Sequence, residues 1–320
     1  MPNLARVAAT SVAALALVLG ARTPGTAQPA ATQWAGPQLA ALRSAGPHPS
    51  GPQSVAPHGA APQSVAPQSA GAHSTGDGQA NAARPLELRV RPAVGSVDSL
   101  NSAGYAVSRG RARFASVRAT FFVPYLNCDL SKRAYSSQWI GLDGFVGQAD
   151  SVEQDGIAAD CSAAGGSSFH AWYAMYPRPR VMPRLAIRSG DSVTASVSYD
   201  PADARFALSL TDNTSGGHFR VRARCPRGVR CPRSSAEVIS STPATGTTGH
   251  LKIRPLADYG AVSFSGISIT DRAGRRGGLR SSYWTATRIV QTRPAAPFHL
   301  LARPTPIGAD AFANYWSRER

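Results

Sequence analysis

"DSVTASVSYDPADARFALSLTDNTSG", residues 191–216, decides the fold class. Apolar and polar side chains alternate with period two through 191–200 and again through 205–212, and the stretch ends in a cluster of turn residues. That alternation puts one face of each segment on a core and the other toward water, which is the pattern of a half-buried strand. "FASVRATFFVP" (114–124), "YGAVSFSGISITDRAG" (259–274) and "YWTATRIVQ" (283–291) repeat the theme, with Gly, Pro or Asp-Asn marks between runs. Val, Thr, Ser, Phe and Tyr dominate, and no helical period emerges. Short strands at this spacing predict an all-β, antiparallel two-sheet β-sandwich over residues 99–291.

The flanks read differently. Residues 1–27 carry an early Arg6, an apolar run from Val7 to about Ala21, and small residues at Gly25 and Ala27. This is the pattern of a secretory signal peptide cleaved after Ala27. It predicts an extracellular, monomeric protein with no membrane span once the signal is removed. Residues 28–98 are rich in Ala, Pro and Gln and contain the near-repeat "GPQSVAP" (51–57) and "APQSVAP" (61–67). Such a segment buries too little apolar area to offset its ordering entropy, so a disordered linker or propeptide is expected. Residues 292–320 are Pro-rich and read as a C-terminal tail.

The charge balance is basic. Thirty-four Lys and Arg stand against 18 Asp and Glu, a formal +16, and only Lys132 and Lys252 are lysines. This charge suits an anionic cell-surface polymer. Arg-for-Lys usage also follows from a GC-rich genome, and the scatter of the arginines favours that origin. No basic helix or Arg/aromatic array points to specific nucleic-acid binding. The one dense tract, "RAGRRGGLR" (272–280), falls where a hairpin loop is expected. The four cysteines, Cys128, Cys161, Cys225 and Cys231, suit two disulfides in an exported chain, with three pairings open from the sequence alone. No HExxH or His/Cys ligand spacing appears, so neither a metal nor another cofactor is expected.

No nucleophile elbow is present, and His170, His218 and His250 are isolated. What stands out is a set of aromatic and polar blocks: "SSQWIGLDGF" (136–145), "VEQDG" (152–156), "FHAWYAMYP" (169–177) and "SSAEVISSTP" (234–243). With "GDS" (190–192) and "PLADYGAVSF" (255–264), their order resembles that of the glutamic peptidases, or eqolisins, from about Asn101 to Gln291. The resemblance implies a sandwich with a concave cleft in which a Gln and a Glu face each other. The Glu serves as general base toward a water, and the Gln holds that water and donates to the oxyanion.

The resemblance places the Gln at Gln154 and cleft residues at Trp139, Asp143, Trp172, Ala174 and Tyr176. The catalytic Glu follows the "AE" pair by four residues and therefore falls on Ser241. The family's second cleft carboxylate falls on Ala174, and its early Trp on Ser102. Glu237 lies four strand residues from Ser241, about 13 Å. Glu153 and Asp155 should point away from Gln154, which leaves Asp143 as the candidate substitute acid. The layout also implies that Cys128 and Cys161 clamp the cleft strands, while Cys225 and Cys231 pin the loop before the "AE" strand. The expectation is an exported glutamic-peptidase-fold protein, catalytically impaired, that binds extended peptide or polymer in its cleft. Two other readings stay open: an active acid endopeptidase, and a carbohydrate-binding sandwich.

Overall fold

The computed structural model describes residues 95–145, 151–245, 252–293 and 299–317. The signal peptide, its cleavage point and the "PQSVAP" repeat lie outside these residues. The described residues form seventeen strands and no helix, in chain order: β1 (Gly95–Ser99), β2 (Ser102–Ser108), β3 (Phe114–Phe122), β4 (Tyr135–Leu142), β5 (Val152–Cys161), β6 (Ser167–Tyr176), β7 (Ser192–Asp200), β8 (Arg205–Asp212), β9 (His218–Ala223), β10 (Ser235–Ser241), β11 (Ala244–Thr245), β12 (Lys252–Ile253), β13 (Ala261–Asp271), β14 (Arg276–Gly277), β15 (Thr285–Arg293), β16 (His299–Pro304) and β17 (Phe312–Trp316).

Strands β7 and β8 obey the alternation that opened the sequence reading. Val193, Ala195 and Val197 on one, and Phe206, Leu208 and Leu210 on the other, are fully buried, with partly exposed residues between most of them. Each Val, Leu or Phe so buried contributes about 1.5–3 kcal/mol. The two strands pair in register from Val193↔Asp212 to Asp200↔Arg205.

The pairing order runs β6-β5-β4-β10-β2-β15-β16-β17-β13-β3-β7-β8-β9, with β1 also on β15 and β14 on β13. All pairs are antiparallel except β1 with β15. This one sheet folds over on itself. Strands β4 and β5 lie against β7 and β8, and β10 lies against β3 and β13. Ile140, Leu142, Ile157, Ala236 and Val238 fill the space between the halves, together with Val117, Phe121, Leu208 and Phe264.

The end of the chain departs from expectation. Residues beyond 291 are not a tail: β16 and β17 are the strands that carry the sheet from one half to the other. Phe312 stacks on Phe264 at 5.2 Å between ring centroids. Asn314 is fully buried, and its Nδ2 donates to Ser240 Oγ at 2.9 Å and to the Ala103 carbonyl at 3.1 Å. The prolines of 294–306 mask these short strands in the sequence. At the other end the sheet starts at Gly95, so the last residues assigned to the linker form β1. Both disulfides pair as the layout implied, Cys128 with Cys161 and Cys225 with Cys231.

Candidate active site

Strands β4, β5 and β10 are buried on both faces. The face turned away from the inter-sheet core carries its own apolar cluster, built on Trp139, Trp172, Ile239 and Ile289. Val97, Phe145 and Tyr176, each half-buried, pack against its rim. Side chains alternate between faces, so the register fixes which residues share this one.

Trp139 on β4 stands opposite Gly156 on β5 and Ile239 on β10. Gln154 is two residues from Gly156, and Ser241 is two residues from Ile239. Both therefore share the Trp139 face, one diagonal step to either side of it. The indole Nε1 of Trp139 donates to Ser241 Oγ at 2.9 Å. Its Cζ3 lies 3.2 Å from where a Cβ on Gly141 would stand. The ring thus runs along its own strand from Ser241 toward Gly141. Gly156 makes this packing possible: a Cβ there would lie 2.1 Å from the Gln138 carbonyl and 2.7 Å from Trp139 Cα.

Around Ser241 the site is neutral. Its cross-strand neighbours are Ser137 and Ser102. Ser137 Oγ accepts from Trp172 Nε1 at 2.9 Å and donates to the Ile157 carbonyl at 2.7 Å. Ser102 Oγ donates to Asn101 Oδ1 at 3.4 Å. His170 lies in the same cross-strand row, but three strands from Ser241, or about 14 Å. Among the described residues, no base reaches the Ser241 hydroxyl to make it a nucleophile. Ala174, opposite Gln154 on β6, contributes a methyl group where the resemblance puts a carboxylate. Tyr176 ends β6 beside Val152, and burial raises its pKa.

Asp143 is not a cleft group. It sits at the end of β4 with φ 65°, and its carboxylate accepts from the Arg233 and Ser234 amides, both at 2.6 Å, and from Ser234 Oγ at 3.0 Å. Burial raises its pKa, and those hydrogen bonds pull it back. Its work is to pin the entry of β10, so it is no substitute base. Glu153 and Asp155 face the inter-sheet core, opposite Leu142 with Met175 and Ile140 with Tyr173. Burial raises the pKa of both well above the usual carboxylate range.

Glu237 has a relation to Gln154 that the motif spacing does not reveal. Gln154, Gly141 and Glu237 form one cross-strand row, and Gly141 puts no side chain between the other two. Gln154 Oε1 and both Glu237 carboxyl oxygens are buried with no well-formed hydrogen bond, although Ser235 and the Phe145 amide stand near Glu237. Burial drives the Glu237 pKa well up, and the nearby Asp143 and Glu153 charges add to the rise. The signal for this row was Gly141 within "WIGLDG", readable only once the register is known.

The peptidase A4 family profile matches residues 100–296, more than half of the chain. The chain belongs to the peptidase A4 family. Its fold is similar to that of scytalido-glutamic peptidase, solved with a transition-state analogue inhibitor, at TM-score 0.57 and 21% identity. It is also similar to SCP-B, an eqolisin-family peptidase solved with the tripeptide Ala-Ile-His, at TM-score 0.55 and 20% identity. Each match covers 68% of this chain and 98% of the other. A search of curated proteins returned no match. In this member of the A4 family, no group of three or more metal-ligating side chains occurs among the described residues. Nor is any helix there long and apolar enough to cross a membrane.

Proposed function

We propose that this A4-family protein binds an extended peptide across β5, β4 and β10 but has lost the family's means of activating water. The observation that carries this reading is at Ser241. Where the resemblance puts the general-base carboxylate stands a hydroxyl already engaged by Trp139 Nε1. Ala174 removes the second carboxylate, and the acids nearest in sequence to Gln154 face the other way. A positioned general base typically contributes about 10²–10⁴-fold to rate, so its absence cuts hydrolysis by that order. Gln154 keeps an amide able to donate to a carbonyl oxygen, which serves binding as well as catalysis. Export of the chain, supported by its signal-like N-terminus and two disulfides, is part of this proposal.

One observation favours a second reading. Glu237 shares a row with Gln154, and an active peptidase could use that pair to hold its water. The two readings separate by pH. A base must be ionised, and the Glu237 pKa is raised, so activity through Glu237 would grow as pH rises instead of peaking in acid. The test is cleavage of denatured protein from about pH 2 to about pH 9, with peptide and glycan binding measured alongside. We expect saturable peptide binding with no cleavage above background. Cleavage abolished in Gln154→Glu and Glu237→Gln would overturn the binding reading in favour of the second. Saturable binding to a glycan but not to peptides would overturn both.

A further inference from the structure

A second concave site lies away from the cleft, where the β2–β3 loop (109–113) meets the loop from β13 to β14 (272–275). The cavity is about 440 Å³ and is lined by Arg111, Ala112, Arg113, Asp271, Arg272, Ala273 and Arg275. Four arginines stand there against one carboxylate, a formal charge of +3.

That carboxylate is already committed. Asp271 is buried, and its Oδ1 accepts from the Ala273 amide at 2.9 Å and the Arg275 amide at 3.0 Å, while Oδ2 accepts from Arg275 Nε at 2.7 Å. Burial raises its pKa, but these bonds bring it below the usual range, so it stays ionised and paired to Arg275. Arg111, Arg113 and Arg272 are exposed and have no carboxylate partner among the described residues. The β8–β9 edge shows the contrast: Arg222 pairs with both Asp200 and Asp203, and Arg205 with Asp203. Nearby, Arg233 lies 3.6 Å over the Tyr199 ring, and its pKa is lowered first by burial and then by the Arg113 charge.

The loops that carry these arginines are fixed. The Arg272 amide donates to the Arg113 carbonyl at 2.8 Å, and the Phe114 amide to the Arg233 carbonyl at 2.7 Å. Asp271 closes its loop through the bonds above. A planar guanidinium fork loses less entropy per hydrogen bond formed than an ammonium does, and it matches tetrahedral oxyanions in bidentate geometry. A carboxylate offers two oxygens, whereas a phosphate or sulfate ester presents three terminal oxygens to the three guanidinium forks, and a phosphate monoester also carries close to two negative charges.

We propose that this cavity is an anion site for a phosphate or sulfate group, with Arg111, Arg113 and Arg272 as its donors. The site is independent of the cleft and of its catalytic state. The test is calorimetric titration of the full chain with inorganic phosphate, inorganic sulfate, polyphosphate and heparin, at low and at raised salt. Arg111→Ala/Arg272→Ala should weaken binding about tenfold or more, from the loss of charge-assisted hydrogen bonds. Arg111→Lys/Arg272→Lys should fall between, because it keeps the charge and loses the fork. Arg220→Ala/Arg224→Ala removes the same charge from exposed residues elsewhere and should leave binding unchanged. Inorganic ions that bind and compete with the polymers identify a free-ion site; binding by the polymers alone identifies a chain-borne group. Either result supports the site. Absence of binding by all four probes would overturn it, as would an equal loss in the Arg220/Arg224 variant.

Discussion

Trp139 organises the cleft because Gly156 on the flanking strand β5 and Gly141 on its own strand make room for it. Gly156 is the stricter of these, since an added Cβ would meet the backbone of Gln138 and Trp139 instead of a side chain that could swing away. Gly156→Ala should therefore destabilise the protein by about 3 kcal/mol or more, read as a fall in the urea midpoint at unchanged slope. A stability near wild type would contradict the register that places Gln154 and Ser241 on the Trp139 face. The family resemblance singled out Gln154, Trp139 and Ser241 in the sequence, and the cross-strand register puts them on one face. The resemblance misplaced Asp143, whose positive φ turns the carboxylate back onto the β10 entry. It also left Glu237 apart from Gln154, because their alignment depends on pairing through a third strand.

At the scale of elements, the two disulfides act on the two ends of the site. Cys128–Cys161 ties the segment before β4 to the end of β5, and Cys225–Cys231 closes the loop that leads to β10. Their sequence separations are 33 and 6. On loop entropy, removing the first should cost about 4 kcal/mol and removing the second about 2 kcal/mol. Urea unfolding of the two Cys→Ala pairs checks the order, and a reversed order would point to native contacts instead of chain entropy. Alternating strands such as β7 and β8 were plain in the sequence because each has one wet face. Strands β16 and β17 were not, because prolines crowd their flanks and their partners, β15 and β13, come earlier in the chain.

For the whole molecule, the buried acids set the response to pH. Burial raises the pKa of Glu153, Asp155 and Glu237 well up, and that of Asp160 to about 6 against the pull of Arg180 and Arg254. An acid whose pKa is higher folded than unfolded holds its proton in the native state, so the unfolded chain sheds protons first as pH rises. The stability these groups give is full below the unfolded carboxylate range near pH 4, and declines from there through about pH 6 and beyond. Asp212 and Asp271, held below the usual range, act in the opposite sense at lower pH. The thermal midpoint should therefore rise on acidification from pH about 8 to about 5, and Glu237→Gln should flatten the rise. A midpoint that falls steadily over that window would contradict the burial of these acids.

We propose that the peptidase scaffold is intact and that its two cleft carboxylates, the base at position 241 and its partner at position 174, are what it lacks. Neither cross-strand neighbour of Ser241, Ser137 or Ser102, is a bulky side chain. Trp139 Nε1, now a donor to the Ser241 hydroxyl, would donate to a carboxylate there. The decisive measurement is acid proteolysis by Ser241→Glu combined with Ala174→Glu, beside the wild type. We predict a silent wild type and a gain of about 10²-fold or more in the double variant, lost again when Gln154→Ala is added. A folded double variant that stays silent, or a wild type that already cleaves as fast, would contradict the account.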